Sequence, residues 1–333
     1  MTNDERSTRR PRGALLLGLA ALGQSAREPL LREPSGLART SLETADGRPL
    51  VLAVDDELPR VFLLAPDDEG GVKLEGELAL DVPVTDLEAV AYDARRGFVY
   101  AITSHRRFDE PDEMVLVGRA LTPGAETFEN RLTPALLESG LSAAGIRITR
   151  DKKGRTLLDG RPWWKKEEKE RHPFALELEG AACRDGVLYL GLKFPRVGGD
   201  AVLFTLPLPS HPRNPIGAIR AQRLDLGGAG ITALDYDEVS ERLLVASNPA
   251  VKPGAAGTAT SEAYGHSLIH VFAPSNTGFY PDGDPIDAGR SDGKLEGLAV
   301  VGDELWLAYD GDRPHLLRRD RAELFDRDDA GER

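Results

Sequence analysis

The stretch Lys294-Leu295-Glu296-Gly297-Leu298-Ala299 decides the fold of this chain of 333 residues, because related segments recur along it. The other copies are Asp86–Ala91, Glu177–Ala182, Gly230–Asp235 and the weaker Glu33–Ala38. Each copy is followed by a polar turn and then by a second apolar run. Self-similarity at a spacing of about 50 residues is typical of propellers and solenoids. The repeat therefore predicts the fold and also the positions at which equivalent side chains meet.

Each copy has the strands of one propeller blade. The run Leu87–Asp93 and the run Phe98–Ile102 after its turn are rich in the residues that favour β-strands, and together they predict a hairpin. A third apolar run such as Ala201–Phe204 follows in most copies, and some copies have a fourth, such as Ala218–Leu224. Three to four antiparallel strands per repeat are typical of a blade. We predict an all-β chain that forms a single β-propeller of five blades, mostly of four strands each, with six blades as the alternative.

One interval between copies is longer than a blade needs. Glu88 and Glu179 are 91 residues apart, whereas Ser35 and Glu88 are 53 apart. The excess predicts an insertion over residues 122–172, in which 132–141 has a helical pattern and no strands are expected. The predicted propeller spans residues 29–325, between an N-terminal segment of residues 1–28 and a disordered tail of residues 326–333.

The N-terminal segment resembles a secretory signal peptide. Four arginines precede an apolar run over residues 14–23, and small residues follow. The run is too short to span a bilayer, so no stable membrane span is expected. This pattern predicts a periplasmic or secreted protein. The alternative is a disordered tail on a cytoplasmic protein.

The charge balance narrows the choice of partners. The net charge of −13 argues against a nucleic-acid backbone as partner, since that backbone is itself negative. The chain has one cysteine, which excludes an internal disulfide. The sequence does not indicate an oligomeric state.

Equivalent positions of the repeat form a ring around the predicted channel. The first strand of each blade lines the channel, and we name as ring residues Ser35, Glu88, Glu179, Thr232 and Glu296. Three carboxylates that face one channel repel each other, unless their pKa values rise or a cation lies among them. Ca²⁺ prefers oxygen ligands of this kind. The ring therefore predicts a Ca²⁺ site formed by Glu88, Glu179 and Glu296.

The second strand of each hairpin returns to the same end of the channel. Its last residues carry polar or charged groups in every blade, and the binding candidates among them are Asp56, Ser104, Arg106, Lys193, Arg196, Asn248 and Asp310. The basic groups among them predict a small anionic ligand. His105 is the acid–base candidate because imidazole titrates near neutrality, and Glu88 and Glu179 are the other catalytic candidates.

These segments resemble a bacterial β-propeller family of unknown function. The resemblance is carried by Leu87–Asp93 with Ser104–Arg106, Leu178–Gly180 with Gly191–Pro195, and Lys294–Ala299 with Asp310–Gly311. That family is similar to phytase-like and esterase-like propellers, and more distantly to gluconolactonase and strictosidine-synthase propellers. Phytase-like relatives bind Ca²⁺ in the channel and hydrolyse phosphate esters. The resemblance implies that the three ring glutamates are ligands and that Lys193, Arg196 or Arg106 holds phosphate. Ser35 and Thr232 depart from a full phytase calcium set.

Three functions follow from the sequence as hypotheses. The first is a calcium-dependent hydrolase of a phosphate ester or another ester, in which the metal polarises the substrate and activates water. The second is a propeller without catalytic activity that binds a ligand or partner on the same face. The third is a metal-dependent lactonase.

Overall fold

The described strands form six antiparallel sheets, and five of these follow one another along the chain as blades, which confirms the five-bladed propeller. The computed structural model describes residues 31–105, 116–121, 125–154, 156–162, 176–211, 213–248, 267–288, 293–311 and 315–325. The predicted signal peptide and the residues beyond 325 lie outside these ranges, as do Arg106 and parts of the predicted insertion. Within the described ranges, no helix has the length and apolar character that a bilayer crossing requires.

Blades 1 and 2 each have four strands. Blade 1 consists of β1 (Pro34–Glu43), β2 (Pro49–Asp55), β3 (Leu58–Pro66) and β4 (Val72–Ala79). Blade 2 consists of β5 (Leu87–Asp93), β6 (Phe98–Thr103), β7 (Leu116–Ala120) and β8 (Thr127–Asn130).

The segment between blades 2 and 3 contains a helix and a small separate sheet. These elements are α1 (Pro134–Ala143), β9 (Ile148–Arg150), β10 (Thr156–Leu158) and β11 (Arg161–Pro162). The expected helix is present, and Thr133 caps it by accepting a hydrogen bond from the Leu136 amide. The expectation that residues 122–172 lack strands was wrong, because β8 completes blade 2 within this range and β9–β11 form a sheet. These strands have two to four residues each, which is too short for a periodic apolar pattern.

Blades 3, 4 and 5 complete the propeller. Blade 3 consists of β12 (Glu177–Arg184), β13 (Val187–Val197), β14 (Asp200–Pro207) and β15 (Arg220–Leu224). Blade 4 consists of β16 (Gly230–Asp237), β17 (Arg242–Asn248), β18 (Leu268–Ser275) and β19 (Gly278–Pro281), with β20 (Ile286–Asp287) paired to β18. Blade 5 has three strands in the described part of the chain, β21 (Gly293–Val301), β22 (Glu304–Gly311) and β23 (His315–Asp320), and a 3₁₀ turn over Arg321–Leu324 follows.

The first strands of the blades form the innermost layer and close the circle. Each first strand contacts the first strand of the next blade, and β21 of blade 5 contacts β1 of blade 1. Five clusters of buried apolar residues lie between neighbouring blades, one in each interface. Both faces of a blade are therefore buried. This explains why the strands have nearly continuous apolar runs instead of an alternating pattern.

The small residue after each ring position allows the blades to approach closely at the channel. A Cβ added to Gly36 would lie 3.0 Å from the Ala89 Cα of the next blade, and one added to Gly297 would lie 2.8 Å from the Leu37 Cγ. Gly36 and Gly297 therefore have room for little more than a hydrogen atom, because the next blade packs closely against them.

Candidate functional site

Every ring residue lies in a β-bulge of its first strand. In each blade the pairing with the second strand skips one residue, and the skipped residues are Ser35, Glu88, Glu179, Thr232 and Glu296. A bulge adds one residue opposite a single partner, bends the strand and redirects a side chain. The ring is thus a repeated backbone feature, and we name the end of the channel where it lies the ring end.

The two hydroxyl members of the ring join neighbouring blades. The Ser35 Oγ donates to the Leu87 carbonyl oxygen at 2.5 Å, and the Thr232 Oγ1 donates to the Leu295 carbonyl oxygen at 2.6 Å. Each acceptor directly precedes the ring glutamate of the next blade. Ser35 and Thr232 are almost fully buried, so these bonds fix the backbone that carries Glu88 and Glu296.

Two lysines pair with the ring carboxylates of blades 3 and 5. The Lys193 Nζ bonds to Glu179 and lies 3.9 Å from the Glu296 Oε1. The Lys294 Nζ lies 2.5 Å from the Glu296 Oε1 and 3.3 Å from the Asp310 Oδ2. Because blades 3 and 5 are not neighbours, Lys193 connects two sides of the channel.

Lys193 reaches the ring through a bulge of its own. The pairing of β13 with β12 skips Lys193 as well as Glu179. The Lys193 side chain is 12% exposed and that of Glu179 is 4% exposed, so the pair is largely removed from water. The Glu179 Oε2 is buried and has no hydrogen-bond partner within the described residues.

Burial and like charge raise the pKa values of two ring glutamates. Burial raises the pKa of Glu179, and the Lys193 ammonium in contact with its carboxylate opposes this shift. Burial, together with the charges of Glu179, Asp86 and Glu296, raises the pKa of Glu88 well above its ordinary value. Within the described ranges, neither lysine forms an ion pair with Glu88. Burial and these charges therefore favour the protonated form of Glu88.

The lysines remain charged despite their burial. Burial lowers the pKa of Lys193, but the charges of Glu179, Glu177 and Glu296 outweigh it and hold the pKa above its ordinary value. Lys294 behaves in the same way, since Glu296 and Glu179 outweigh its desolvation. The ring end is thus a buried set of ion pairs next to a carboxyl group, Glu88, whose pKa is raised.

The rim of blades 1 and 2 adds further carboxyl groups. Burial and a hydrogen bond with Glu33 raise the pKa of Asp56 to about 8. Asp86 has a positive φ of 60° and accepts a hydrogen bond from the Ser104 Oγ. Both carboxyl groups are half-buried at the same end of the channel as Glu88.

His105 has an environment that differs from that expected of an acid–base group. It is 1% exposed, and its Nδ1 lies 2.7 Å from the Thr103 carbonyl oxygen, which assigns the proton to Nδ1. Burial lowers the pKa of His105 to about 4, with a smaller contribution from the positive charge of Arg131. The imidazole is therefore neutral near pH 7. Its Nε2 is buried without a hydrogen-bond partner in the described part of the chain.

Two of the remaining candidates have structural partners at the ring end. The Asn248 side chain accepts from the Ser267 Oγ and donates to the Leu295 carbonyl oxygen at 3.5 Å. Asp310 pairs in register with Lys294 on the neighbouring strand. Asn248 therefore links blades 4 and 5, and Asp310 supports the Lys294 ion pair.

The basic candidates differ in their placement. The guanidinium group of Arg196 lies over the Phe194 ring at 5.3 Å, and burial lowers its pKa. Arg106 lies outside the described residues. Of the basic groups predicted to hold an anion, Lys193 is thus the one with a defined position at the ring, and its charge is matched by glutamates.

Lys294 belongs to the site although it was not among the site residues predicted from the sequence. It lies two residues before Glu296 within the repeated phrase, and its partner across the sheet is Asp310. Residues two apart in a strand share a face, so this spacing was a usable signal. The other copies have no lysine at this position, which obscured it.

The donor set fits calcium poorly. No group of three His, Cys, Asp or Glu side chains with the spacing of a metal site occurs among the described residues. The ammonium groups of Lys193 and Lys294 contact the Glu179 and Glu296 carboxylates that a calcium ion would need as ligands. A ring calcium stays a prediction, and the functions proposed for the protein do not require a metal.

Comparisons with known proteins find similarity of structure alone. No family model and no curated protein matches the chain. Solved structures that match include hydrazine synthase from Kuenenia stuttgartiensis, with 13% identity, a TM-score of 0.36, and coverage of 86% of this chain and 77% of that chain. Another is the β-propeller domain of Cps50 (Swd1) from Myceliophteria thermophila, with 9% identity, a TM-score of 0.37, and coverage of 84% and 82%. At these scores the neighbours carry no functional argument, and the resemblance to phytase-like propellers stays a prediction.

Proposed function

We propose that the protein binds a small polar ligand at the ring end of the channel. The observation that carries the proposal is the Glu179 Oε2, a buried carboxylate oxygen without a hydrogen-bond partner within the described residues. A buried acceptor of this kind costs free energy unless a donor reaches it. A ligand that supplies a hydroxyl or amino group would remove this cost.

The charges around Glu179 favour a neutral ligand over the anion predicted from the sequence. Lys193 and Lys294 already pair with ring carboxylates, so no positive charge in the described ring is left unmatched for an anion. The raised pKa of Glu88 favours its protonated form, which can donate a hydrogen bond, and the Oε2 of Glu179 can accept one. A polyhydroxy compound such as a sugar or polyol has hydroxyl groups that can accept the hydrogen bond from Glu88 and donate one to Glu179.

A thermal-shift screen tests the proposal. The screen compares neutral polyols, amines, carboxylates and phosphomonoesters, each with a chelator and with added Ca²⁺. We expect a neutral polyol to raise the Tm of the wild type and to have a clearly smaller effect on Glu179→Gln, because binding to the folded state stabilises it.

A matched control distinguishes the loss of a ring carboxylate from the loss of a carboxylate elsewhere in the protein. Glu304→Gln removes the charge of Glu304, which pairs with Arg318 away from the ring, and should retain the full ligand response. Equal responses of the wild type and Glu179→Gln would contradict the proposal. Stabilisation by Ca²⁺ alone would support the calcium prediction instead.

Hydrolysis is a second candidate because burial raises the pKa values of two ring carboxyl groups. A protonated Glu88 could act as general acid and Glu179 as general base on an ester or lactone. A panel of phosphomonoesters, carboxylic esters and lactones, assayed with and without Ca²⁺, tests this. Turnover that Glu88→Gln abolishes would support it, and binding of a ligand without turnover of any panel member would reject it.

A further inference from the structure

A pocket lies at the end of the channel opposite the ring end, and we name this end the far end. Its volume is about 90 Å³, and small side chains of three first strands form much of its wall: Ala38, Ala91, Ala181 and Ala182. Asp235 lines the same pocket three residues after the ring residue Thr232, which is about 10 Å further along β16. The pocket is therefore separate from the ring carboxylates.

Asp235 is a buried carboxylate in the pocket. It is 6% exposed, and its Oδ2 accepts a hydrogen bond of 2.7 Å from the Val300 amide of blade 5. A carboxylate has about four acceptor positions, and this bond together with one from the Tyr236 amide uses two of them. These bonds fix the carboxylate against the wall and leave acceptor capacity for a ligand.

An ion pair crosses the mouth of the far-end pocket. The Arg39 Nη2 of blade 1 lies 2.7 Å from the Glu238 Oε2 of blade 4, and both residues line the pocket. These blades are not neighbours. The side chains are 27% and 52% exposed, and an ion pair this exposed costs little to open. The pair can therefore admit a ligand without a large loss of stability.

The lining has one more negative than positive charge. Asp235 and Glu238 supply two carboxylates, and Arg39 supplies one guanidinium group that is already paired. Five alanines line the pocket together with Thr40, Ser41, Tyr92 and Cys183. The volume is well below the ~150 Å³ cavity that holds a benzene ring. These features fit a ligand of a few non-hydrogen atoms with one positive group and a short apolar body.

We propose that the far-end pocket binds a small primary ammonium compound, with its charged group on Asp235 and its alkyl chain against the alanines. An anion would meet a guanidinium group that Glu238 already neutralises. A purely apolar ligand would leave the Asp235 carboxylate desolvated and without compensation. This site does not depend on the function proposed for the ring end.

Binding of n-propylammonium, with n-propanol as its neutral counterpart, tests the proposal. Isothermal titration calorimetry should show saturable binding of the amine and much weaker binding of the alcohol. Asp235→Asn keeps an oxygen that can accept from Val300 and removes the charge, so it should fold and bind the amine about tenfold more weakly or worse. Glu238→Gln, at an exposed position, should weaken binding by a smaller factor.

Glu179→Gln is the control for the ring end and should bind the amine as the wild type does. Equal affinity for the amine and the alcohol would overturn the proposal, as would unchanged affinity in Asp235→Asn. Loss of binding in Glu179→Gln with retention in Asp235→Asn would assign the amine to the ring end and would also overturn it.

Cys183 offers a second readout because it lines the far-end pocket and is the single cysteine of the chain. Because burial raises the pKa of the Cys183 thiol, an uncharged thiol probe that reports on the local environment is needed, and the sulfhydryl stretching band in the infrared spectrum provides it. Saturating n-propylammonium should shift this band, and the same concentration of n-propanol should leave it unchanged. An identical band with and without saturating amine would contradict the assigned position.

Discussion

The two ends of the channel each have an ion pair that connects blades that are not neighbours, but the pairs differ in burial. At the ring end, Lys193 is 12% exposed and its partner in blade 5, Glu296, is 8% exposed. At the far end, Arg39 is 27% exposed and Glu238 is 52% exposed. A buried charge that loses its partner is costly, whereas an exposed pair is worth little. Breaking the ion pair at the ring end should therefore cost much more stability than breaking the ion pair at the far end.

The largest expected effect is that of Lys193→Met. This change leaves Glu179 buried without its ammonium partner, and we expect the free energy of unfolding to fall by about 3–5 kcal/mol in urea denaturation. Arg196→Met is the matched control on the same strand, because Arg196 contacts the Phe194 ring and should cost only about 0.5–1 kcal/mol. Equal losses in the two variants would remove the contrast between a buried pair and a half-exposed cation.

The next largest effect is expected to be the pH dependence of the folding stability that Glu88 causes. Because its pKa is raised in the folded state, the folded chain keeps a proton that the unfolded chain has released above the ordinary value of 4.5. The wild type therefore loses stability as pH rises from this value toward the folded pKa, by about 1.4 kcal/mol per pKa unit of elevation. Glu88→Gln lacks this loss.

Urea denaturation of the wild type and Glu88→Gln at about pH 5 and at about pH 8 checks this prediction. We expect the free energy of unfolding of the variant to increase relative to that of the wild type as the pH rises. Glu75→Gln is the control, because Glu75 pairs with Arg48 on the outer part of blade 1 and should leave the slope unchanged. A wild-type and Glu88→Gln difference that is constant over this range would show that Glu88 titrates normally.

Ser35→Ala should have a smaller effect at the ring. It removes the buried hydroxyl that donates to the Leu87 carbonyl oxygen, at an expected cost of about 1–2 kcal/mol. Thr232→Val should cost less, because the Asn248 side chain also donates to the Leu295 carbonyl oxygen. Thermal denaturation of both variants measures their relative stability. A larger loss of stability in Thr232→Val than in Ser35→Ala would contradict the prediction.

The smallest effect is expected at the far end. Glu238→Gln removes the charge partner of Arg39, and the stability should change by less than about 1 kcal/mol. Denaturation in low and in high salt checks this, since salt screens an exposed pair and should reduce the difference further. A loss comparable to that of Lys193→Met would mean that the two ends do not differ as described.

The sequence allowed the blades and the ring positions to be predicted, because both follow from the repeat. The five copies of the phrase mark the first strand of each blade, and all five predicted ring residues occupy the same bulge. The strands β8–β11 were missed, since segments of two to four residues have no measurable periodicity.

The charge pairing at the ring could not be predicted from one blade at a time. Lys193 reaches Glu296 across the channel, and this contact depends on the curvature of the propeller and on the bulge in β13. His105 was selected by its residue type and its strand-end position. Its burial and its bond to the Thr103 carbonyl oxygen depend on the fold around it.

The most direct test of the buried charge pair at the ring is a double-mutant cycle of Lys193→Met and Glu179→Gln, measured by urea denaturation. If the two groups form a buried pair, the double variant should recover much of the stability lost in Lys193→Met, with a coupling of about 1–3 kcal/mol. The same cycle for Arg39→Met and Glu238→Gln at the far end should give a coupling below about 1 kcal/mol. Additive losses at the ring, with no recovery in the double variant, would contradict the account.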